Sequence, residues 1–426
     1  MEPNVGEMPV LFLTKFDPMR CDASTMTDFK SVRMGMKRKR EGTQSCSSLK
    51  IAKSSSPVSS ESKSVLQLLS SREKGGASSS NFISDLSTMK ARELSLTNFF
   101  FTSNSSTHIT DCEFIRGSRD GKSIIGLWKG DHYDAIIYRL TFEFSSKYEN
   151  SDKIPPIVKS VGKVGPFFAL TRVRDMCDAR FRQQNCVLYV GNRFNERSVM
   201  EGSTVLCNFT NDSYTYGRQY ISKRDILSCA GNAHGELFAT GTEQGCYIFD
   251  DDRFTYKARL PGNVRSIEFN DSGKMLFCGV DTAGLTVFDL REPPCNRRTV
   301  RVNRFEPVGV SETKLLSGEK TMIVSGIDGS LSKVDLNKNE TVLHYSGHVG
   351  SSMKVPFSLS ESADILCATG SDNITRLWSL SSGKPLHSIR PFLKYQKSHS
   401  WLMCHENKWF VSLLQQNRLY TLEPHH

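Results

Sequence analysis

Twelve cysteines are scattered along 426 residues without one Cys-x-x-Cys pair, and no His/Cys spacing resembles a metal site. That pattern argues for reduced thiols packed in strands of an intracellular protein rather than a disulfide scaffold or zinc module. No apolar run approaches the ~18 residues of a membrane span. The opening Met1-Glu2-Pro3-Asn4 has neither a basic region nor an apolar core, which argues against a secretory signal. There is no Gly-x-Ser-x-Gly elbow, paired-carboxylate motif, metal triad or phosphate loop. Gly75-Gly76 and the glycines between 117 and 121 are too sparse to cradle a phosphate. An enzyme is therefore not expected, nor is a cofactor.

Strong charge of one sign is also missing. The net charge is +10 over the whole chain. Residues 1–105 carry 15 Lys+Arg against 10 Asp+Glu, a net +5, which leaves +5 for the rest. A mildly basic body of that kind is not a dense nucleic-acid stripe, so nucleic acid is expected only through the basic tail.

What is present is a repeat. Residues 365–380 read as a β-hairpin: an apolar run, a tight turn at Ser371-Asp372-Asn373, then an alternating run ending at Trp378. The same grammar recurs upstream, ending at Val334-Asp335-Leu336, Phe288-Asp289-Leu290 and Phe249-Asp250. Gly241, Gly279, Gly326 and Gly370 mark these units at spacings of 38, 47 and 44 residues. A period of about 40 to 45 with aromatic-Asp or Trp-Ser endings is the WD-repeat signature. The expected fold class is all-β: a seven-bladed WD40 β-propeller over residues 96–426, preceded by a disordered Ser-rich tail over 1–95. Units three to six are well marked, whereas one, two and seven are degenerate. A propeller closes its last blade with a strand from the other chain end, and Phe99-Phe100-Phe101 is the candidate.

The tail buries too little apolar surface to offset ordering entropy. Lys37-Arg38-Lys39-Arg40 reads either as a nuclear-import signal or as a solvated charge run. Val65, Leu66, Leu68 and Leu69 form one apolar face between Ser64 and Lys74-Gly75, either a docking helix or a helix that packs on its own propeller. The expected location is nuclear, with the cytoplasm also open.

In the sixth unit, His348, Thr369, Asp372 and Trp378 are expected to form one structural hydrogen-bond network, because unpaired buried polar groups cost about 1–3 kcal/mol each. Arg291 follows Phe288-Asp289-Leu290 just past a third strand. A guanidinium there offers planar, multi-donor contacts to a partner, or is held by its own Asp289.

These residues carry a resemblance. From about Ile226 to Phe392 the chain resembles the DCAF proteins, WD-repeat substrate receptors of cullin-4 RING ubiquitin ligases. The resemblance rests on Val287-Phe288-Asp289-Leu290-Arg291, His344-Tyr345-Ser346-Gly347-His348-Val349, Ile374-Thr375-Arg376-Leu377-Trp378-Ser379-Leu380 and Leu386-His387-Ser388-Ile389-Arg390-Pro391. It implies a non-catalytic receptor that docks on the triple-propeller adaptor of cullin-4 ligases, meets cullin-4 indirectly and presents a protein substrate for ubiquitination. It places the adaptor contact at Asp289 and Arg291, at Asn337 on the next blade, and at Val65, Leu66, Leu68 and Leu69 in the tail. The family pattern has a second Arg where this chain has Asn337, after Val334-Asp335-Leu336. The alternative class is a generic nuclear WD40 scaffold in ribosome assembly or chromatin complexes.

Overall fold

The computed structural model describes residues 94–424 except 101–108, 118–122, 131–134, 144–156, 165–171, 182–183, 196, 211–212, 251–252, 293–296, 301–308, 351–353, 355, 393–396, 406–407 and 416–417. The basic run 37–40 and the apolar face 65–69 lie outside the described residues.

Short alternating or apolar runs separated by Gly, Asn, Asp and Ser dictate strands, and every regular element among the described residues is one. Strand β1 is Leu94–Phe100. Blade one is β2 Ile109–Gly117, β3 Ser123–Gly130, β4 Ala135–Glu143 and β5 Ile157–Val164. Blade two is β6 Arg172–Phe181, β7 Gln184–Phe194, β8 Met200–Thr210 and β9 Ser213–Ser222. Blade three is β10 Ile226–Gly231, β11 Leu237–Thr242, β12 Gly245–Asp250 and β13 Arg253–Arg259. Blade four is β14 Val264–Phe269, β15 Met275–Val280, β16 Gly284–Asp289 and β17 Arg297–Val300. Blade five is β18 Val310–Leu315, β19 Thr321–Gly326, β20 Leu331–Asp335 and β21 Glu340–His344. Blade six is β22 Phe357–Ser360, β23 Ile365–Thr369, β24 Thr375–Ser379 and β25 Pro385–Ile389. Blade seven is β26 Ser398–His405, β27 Lys408–Gln415 and β28 Arg418–Pro424, completed by β1.

Seven four-stranded antiparallel sheets result, each in chain order except the last, which runs β1-β28-β27-β26. The closing strand starts earlier than its Phe triplet suggests: Leu94 pairs with Pro424 and Phe100 with Arg418. Closure removes the open sheet edge.

The core is divided between blades. One cluster joins Leu188 and Leu206 of blade two to Phe238 and Phe249 of blade three. Others join blades three and four, four and five, five and six, and six and seven. Both faces of these sheets are therefore buried, which is why β11, β15, β19 and β23 are almost wholly buried rather than alternating.

The first strands of blades one to five each carry a β-bulge near their start. Its register sharpens the repeat. Ser228 faces Gly241, Ser266 faces Gly279 and Glu312 faces Ser325. Gly241 and Gly279 thus share a position with Ser325 and, counting from Trp378, Thr369. Gly326 and Gly370 stand one residue later, so the four glycines mark two adjacent positions. At Gly241 and Gly279 the constraint is steric: a Cβ there would overlap the Oγ of Ser228 or Ser266.

Candidate docking face

In blades three to six the third strand ends where the chain turns back into the fourth, and those ends share one face of the ring. The aromatic or aliphatic residue on the third strand sets the register. Phe249, Phe288, Val334 and Trp378 pair with Phe238, Leu276, Met322 and Leu366. The next residue is Asp250, Asp289, Asp335 or Ser379, and Arg291, Asn337 and Ser381 stand at equivalent positions two residues further.

At blade four Asp289 folds the chain back on itself. Its Oδ1 accepts from the Arg291 backbone N–H at 3.0 Å and from Nε at 2.8 Å, and its Oδ2 accepts from Nη2 at 2.5 Å. The hydrogen bonds of Arg291 hold the Asp289 carboxyl down at about 2. The same bonds raise the guanidinium's own pKa. The arginine is thus clamped by its own aspartate while its side chain stays 64 % exposed. A clamped guanidinium loses less rotamer freedom on meeting a partner.

Blade five repeats the turn without the fork. Asp335 Oδ1 accepts from the backbone N–H of Asn337 at 2.8 Å and of Lys338 at 2.9 Å, which lowers the Asp335 pKa. Asn337 is exposed. Blade six takes its carboxylate from elsewhere. Asp364, between β22 and β23, accepts from Ser379 Oγ at 2.7 Å, from Ser381 N–H at 2.7 Å and from Ser381 Oγ at 3.0 Å.

The expected network of His348, Thr369, Asp372 and Trp378 does not form as one chain. Arg376 takes the Asp372 carboxylate with two bonds, Nη1 at 3.1 Å and Nη2 at 2.6 Å. With that acceptor occupied, His348 Nδ1 meets the Gly329 carbonyl at 3.0 Å instead. Thr369 Oγ1 bonds Thr375 and Ser400, each at 2.7 Å. Trp378 is fully buried, and its Nε1 donates to the Ser346 carbonyl at 2.9 Å. His348 and Trp378 touch only edge to face, with centroids 6.2 Å apart. Desolvation lowers the His348 pKa, so its ring is neutral at physiological pH.

The larger omission of the sequence reading lies in the central channel. Arg116 Nη2 sits 2.8 Å from Glu312 and 3.4 Å from Asp175. Lys354 Nζ sits 2.5 Å from Asp175 and 3.3 Å from Glu312. Asp175 also accepts from the backbone N–H groups of Met176 at 2.9 Å and Cys229 at 3.2 Å. Burial opposes ionisation of Glu312, but Arg116 and Lys354 outweigh it and the pKa falls. Two cations and two carboxylates thus cross-brace blades one, two, five and six beside a cavity of about 580 Å³. Asp175 and Glu312 each stand two residues beyond a valine near the strand start, Val173 and Val310, with a bulge between. Among the described residues no group of His, Cys, Asp and Glu is placed to hold a metal, and no helix is long and apolar enough to cross a membrane.

Residues 224–399 match the family model of the DDB1- and CUL4-associated factor 4 beta-propeller domain. This stretch is similar to the DCAF4 propeller family. It runs from the start of blade three into the first strand of blade seven and includes the turns at Arg291, Asn337 and Ser381. DDB1- and CUL4-associated factor 4 of Bos taurus is 27 % identical over 169 residues, and that of Homo sapiens 28 % identical over 169. Each match covers 40 % of this chain and 30 % of the relative. The human DDB1- and CUL4-associated factor 4-like protein 2 is 31 % identical over 80 residues, 19 % of this chain and 20 % of that protein. The matched part thus spans under a third of the relatives' length. Chaetomium thermophilum Raptor superposes with a TM-score of 0.54 at 11 % identity, over 80 % of this chain and 30 % of that one, a likeness of fold.

Proposed function

We propose that this chain is a non-catalytic substrate receptor that docks on the propeller adaptor of a cullin-4 RING ubiquitin ligase and presents proteins for ubiquitination. The observation that carries this reading is the clamped, exposed Arg291 at the end of a third strand inside the DCAF4-type stretch. The names of the relatives point to DDB1 as the adaptor and CUL4 as the cullin. Transfer chemistry then resides in the ligase's RING partner and its ubiquitin-conjugating enzyme. This chain contributes proximity, raising the effective concentration of a bound substrate. Asn337 offers a polar but uncharged contact on the neighbouring blade, so Arg291 carries most of the charge recognition on this face. The apolar face Val65, Leu66, Leu68 and Leu69 supplies a second adaptor contact, and Lys37–Arg40 directs the protein to the nucleus.

The test is a quantitative pull-down of DDB1 and CUL4 with wild type and Arg291→Ala. Capture falls by about tenfold, the scale of a fully engaged interface arginine. Arg291→Lys does not restore it, because an ammonium cannot reproduce the fork. Thermal stability stays unchanged, since the side chain lies outside the core. Undiminished capture by Arg291→Ala would remove the basis for this docking mode.

The basic run favours a second reading, a nuclear WD40 scaffold near nucleic acid. Recovery of ribosomal or histone proteins without DDB1 would select it.

A further inference from the structure

Blade two differs from its neighbours in length. Its inner pair β7 and β8 has 11 residues per strand, against 6 for the corresponding strands of blades three and four. The extra length carries the β7–β8 turn beyond the ring. At its tip stand Phe194, Val199 and Met200, exposed by 54 %, 55 % and 48 %. The described residues have no comparable apolar cluster in a single turn; the other exposed large hydrophobics stand singly.

This tip is built rather than loose. Asn195 Oδ1 accepts from the backbone N–H groups of Arg197 at 2.9 Å and Val199 at 3.0 Å. Asn195 Nδ2 donates to Glu201 at 2.8 Å, and Arg193 pairs with the other Glu201 oxygen at 3.3 Å. Side chains on such a turn meet a partner with little further ordering cost.

The ground beside it is basic. Gly202, two residues past the tip, packs against the backbone carbonyl of Arg224. Arg224 Nη1 reaches Gln244, and Arg224, Gln244, Lys257 and Arg259 line a pocket of about 480 Å³ between blades two and three. Lys257 lies over the Tyr247 ring at 5.5 Å, and Lys223 is exposed next to Arg224. Acidic groups nearby are Glu243, exposed, and three that already face a cation: Asp225 at 4.0 Å from Arg174, Glu201 at 3.3 Å from Arg193, and Asp281, beside Gly262, at 3.4 Å from Arg265.

The turn from second to third strand lies at the opposite end of the third strand from the turn that holds Arg291. Hairpin and pocket therefore occupy the face opposite the docking face. We infer that this surface binds a short protein segment carrying apolar residues next to acidic ones. On the substrate-receptor reading, on which this assignment of the partner rests, that segment belongs to the substrate. Charge selects the occupant: the chain's own N-terminal stretch is net positive and a poor match for the pocket. Nucleic acid would satisfy the cations but leave Val199 and Met200 in water.

The test uses the full chain and a fluorescein-labelled peptide of about a dozen residues alternating leucine with glutamate. Three comparison probes replace glutamate by glutamine, replace leucine by serine, or are single-stranded oligouridine. The leucine–glutamate peptide binds at least about tenfold tighter than each. Its affinity falls as salt rises from about 50 to about 300 mM. Phe194→Ser with Met200→Ser, and separately Arg259→Glu, each weaken it by about tenfold with unchanged melting temperature, the hydrophobic and charge contributions being separate. Equal binding of the glutamine peptide, indifference to both variants, or tighter binding of oligouridine would overturn the inference. DDB1 capture, measured on the same variants, separates the two readings. Intact capture with no peptide binding sinks only this surface. Lost Arg291-dependent capture with peptide binding intact sinks only the ligase reading.

Discussion

At the scale of single residues, the positions that decide geometry are those with no room. A Cβ on Gly279 would overlap Ser266 Oγ and Val310 Cγ1, contacts from the first strands of blades four and five. Gly279→Ala is therefore an overpacking change between two blades, and it lowers stability by about 1–3 kcal/mol in urea unfolding. Ser266→Ala introduced together with it recovers part of the loss, since it removes one of the two obstacles. Arg291 is the opposite case. Its contacts are with Asp289 on an exposed turn, so its substitution is read in binding and not in unfolding. Both residues stood out in the sequence, Gly279 as a repeat marker and Arg291 as a motif ending. The clamp by Asp289, two residues away, was one of the two readings open for Arg291 in the sequence, whereas the neighbours of Gly279 were not legible, because those contacts come from register.

At the scale of strands and turns, the third-strand endings show one geometric requirement met by different residues. Asp289 and Asp335 turn the chain with their own carboxylates, whereas blade six has Ser379 and borrows Asp364 from the preceding hairpin. Asp364 adopts φ 54°, a left-handed backbone that Asp tolerates better than most residues. Asp364→Ala leaves Ser379, Ser381 and the Ser381 N–H without this acceptor, and costs about 1–3 kcal/mol in denaturant unfolding. Asp364→Asn retains an acceptor and most of the stability. Blades three to six were legible because strand b, turn and strand c are adjacent in sequence. Blades one and two were only outlined, since their longer strands blur the period. The His348–Asp372 bond was misread for a related reason: Arg376, four residues beyond Asp372, competes for the same carboxylate at closer range.

At the scale of the whole ring, the channel quartet joins blades that are distant in sequence. Glu312 lies 196 residues from Arg116, and Asp175 lies 179 from Lys354. No local pattern announces such pairs. Removing one member strands the opposite charges in a buried site, so Glu312→Gln destabilises by about 3–5 kcal/mol. The pH dependence has a definite sign. The folded-state pKa of Glu312 lies below its unfolded value of about 4.3, so its contribution is complete above that pH and is lost as pH falls through the folded value. Acid unfolding monitored by tryptophan fluorescence shows wild type losing stability below about pH 4, while Glu312→Gln, lacking this proton uptake, follows a shallower profile. Identical profiles would mean that the quartet does not couple to folding.

The seam of the ring has a directional consequence. Leu94 pairs with Pro424, the end of a third strand, so β1 enters the sheet from the face that presents Arg291. The N-terminal chain is thereby anchored on that face. Leu69 is 25 residues from this anchor, a contour of no more than about 90 Å. On the proposed receptor reading, in which residues 65–69 also contact the adaptor, a partner held at Arg291 would meet that stretch as a tethered second ligand, at an effective concentration set by the connecting chain rather than by the solution. Two weak contacts on one leash can then act as one strong one, and the missing second arginine need not be replaced on the ring itself.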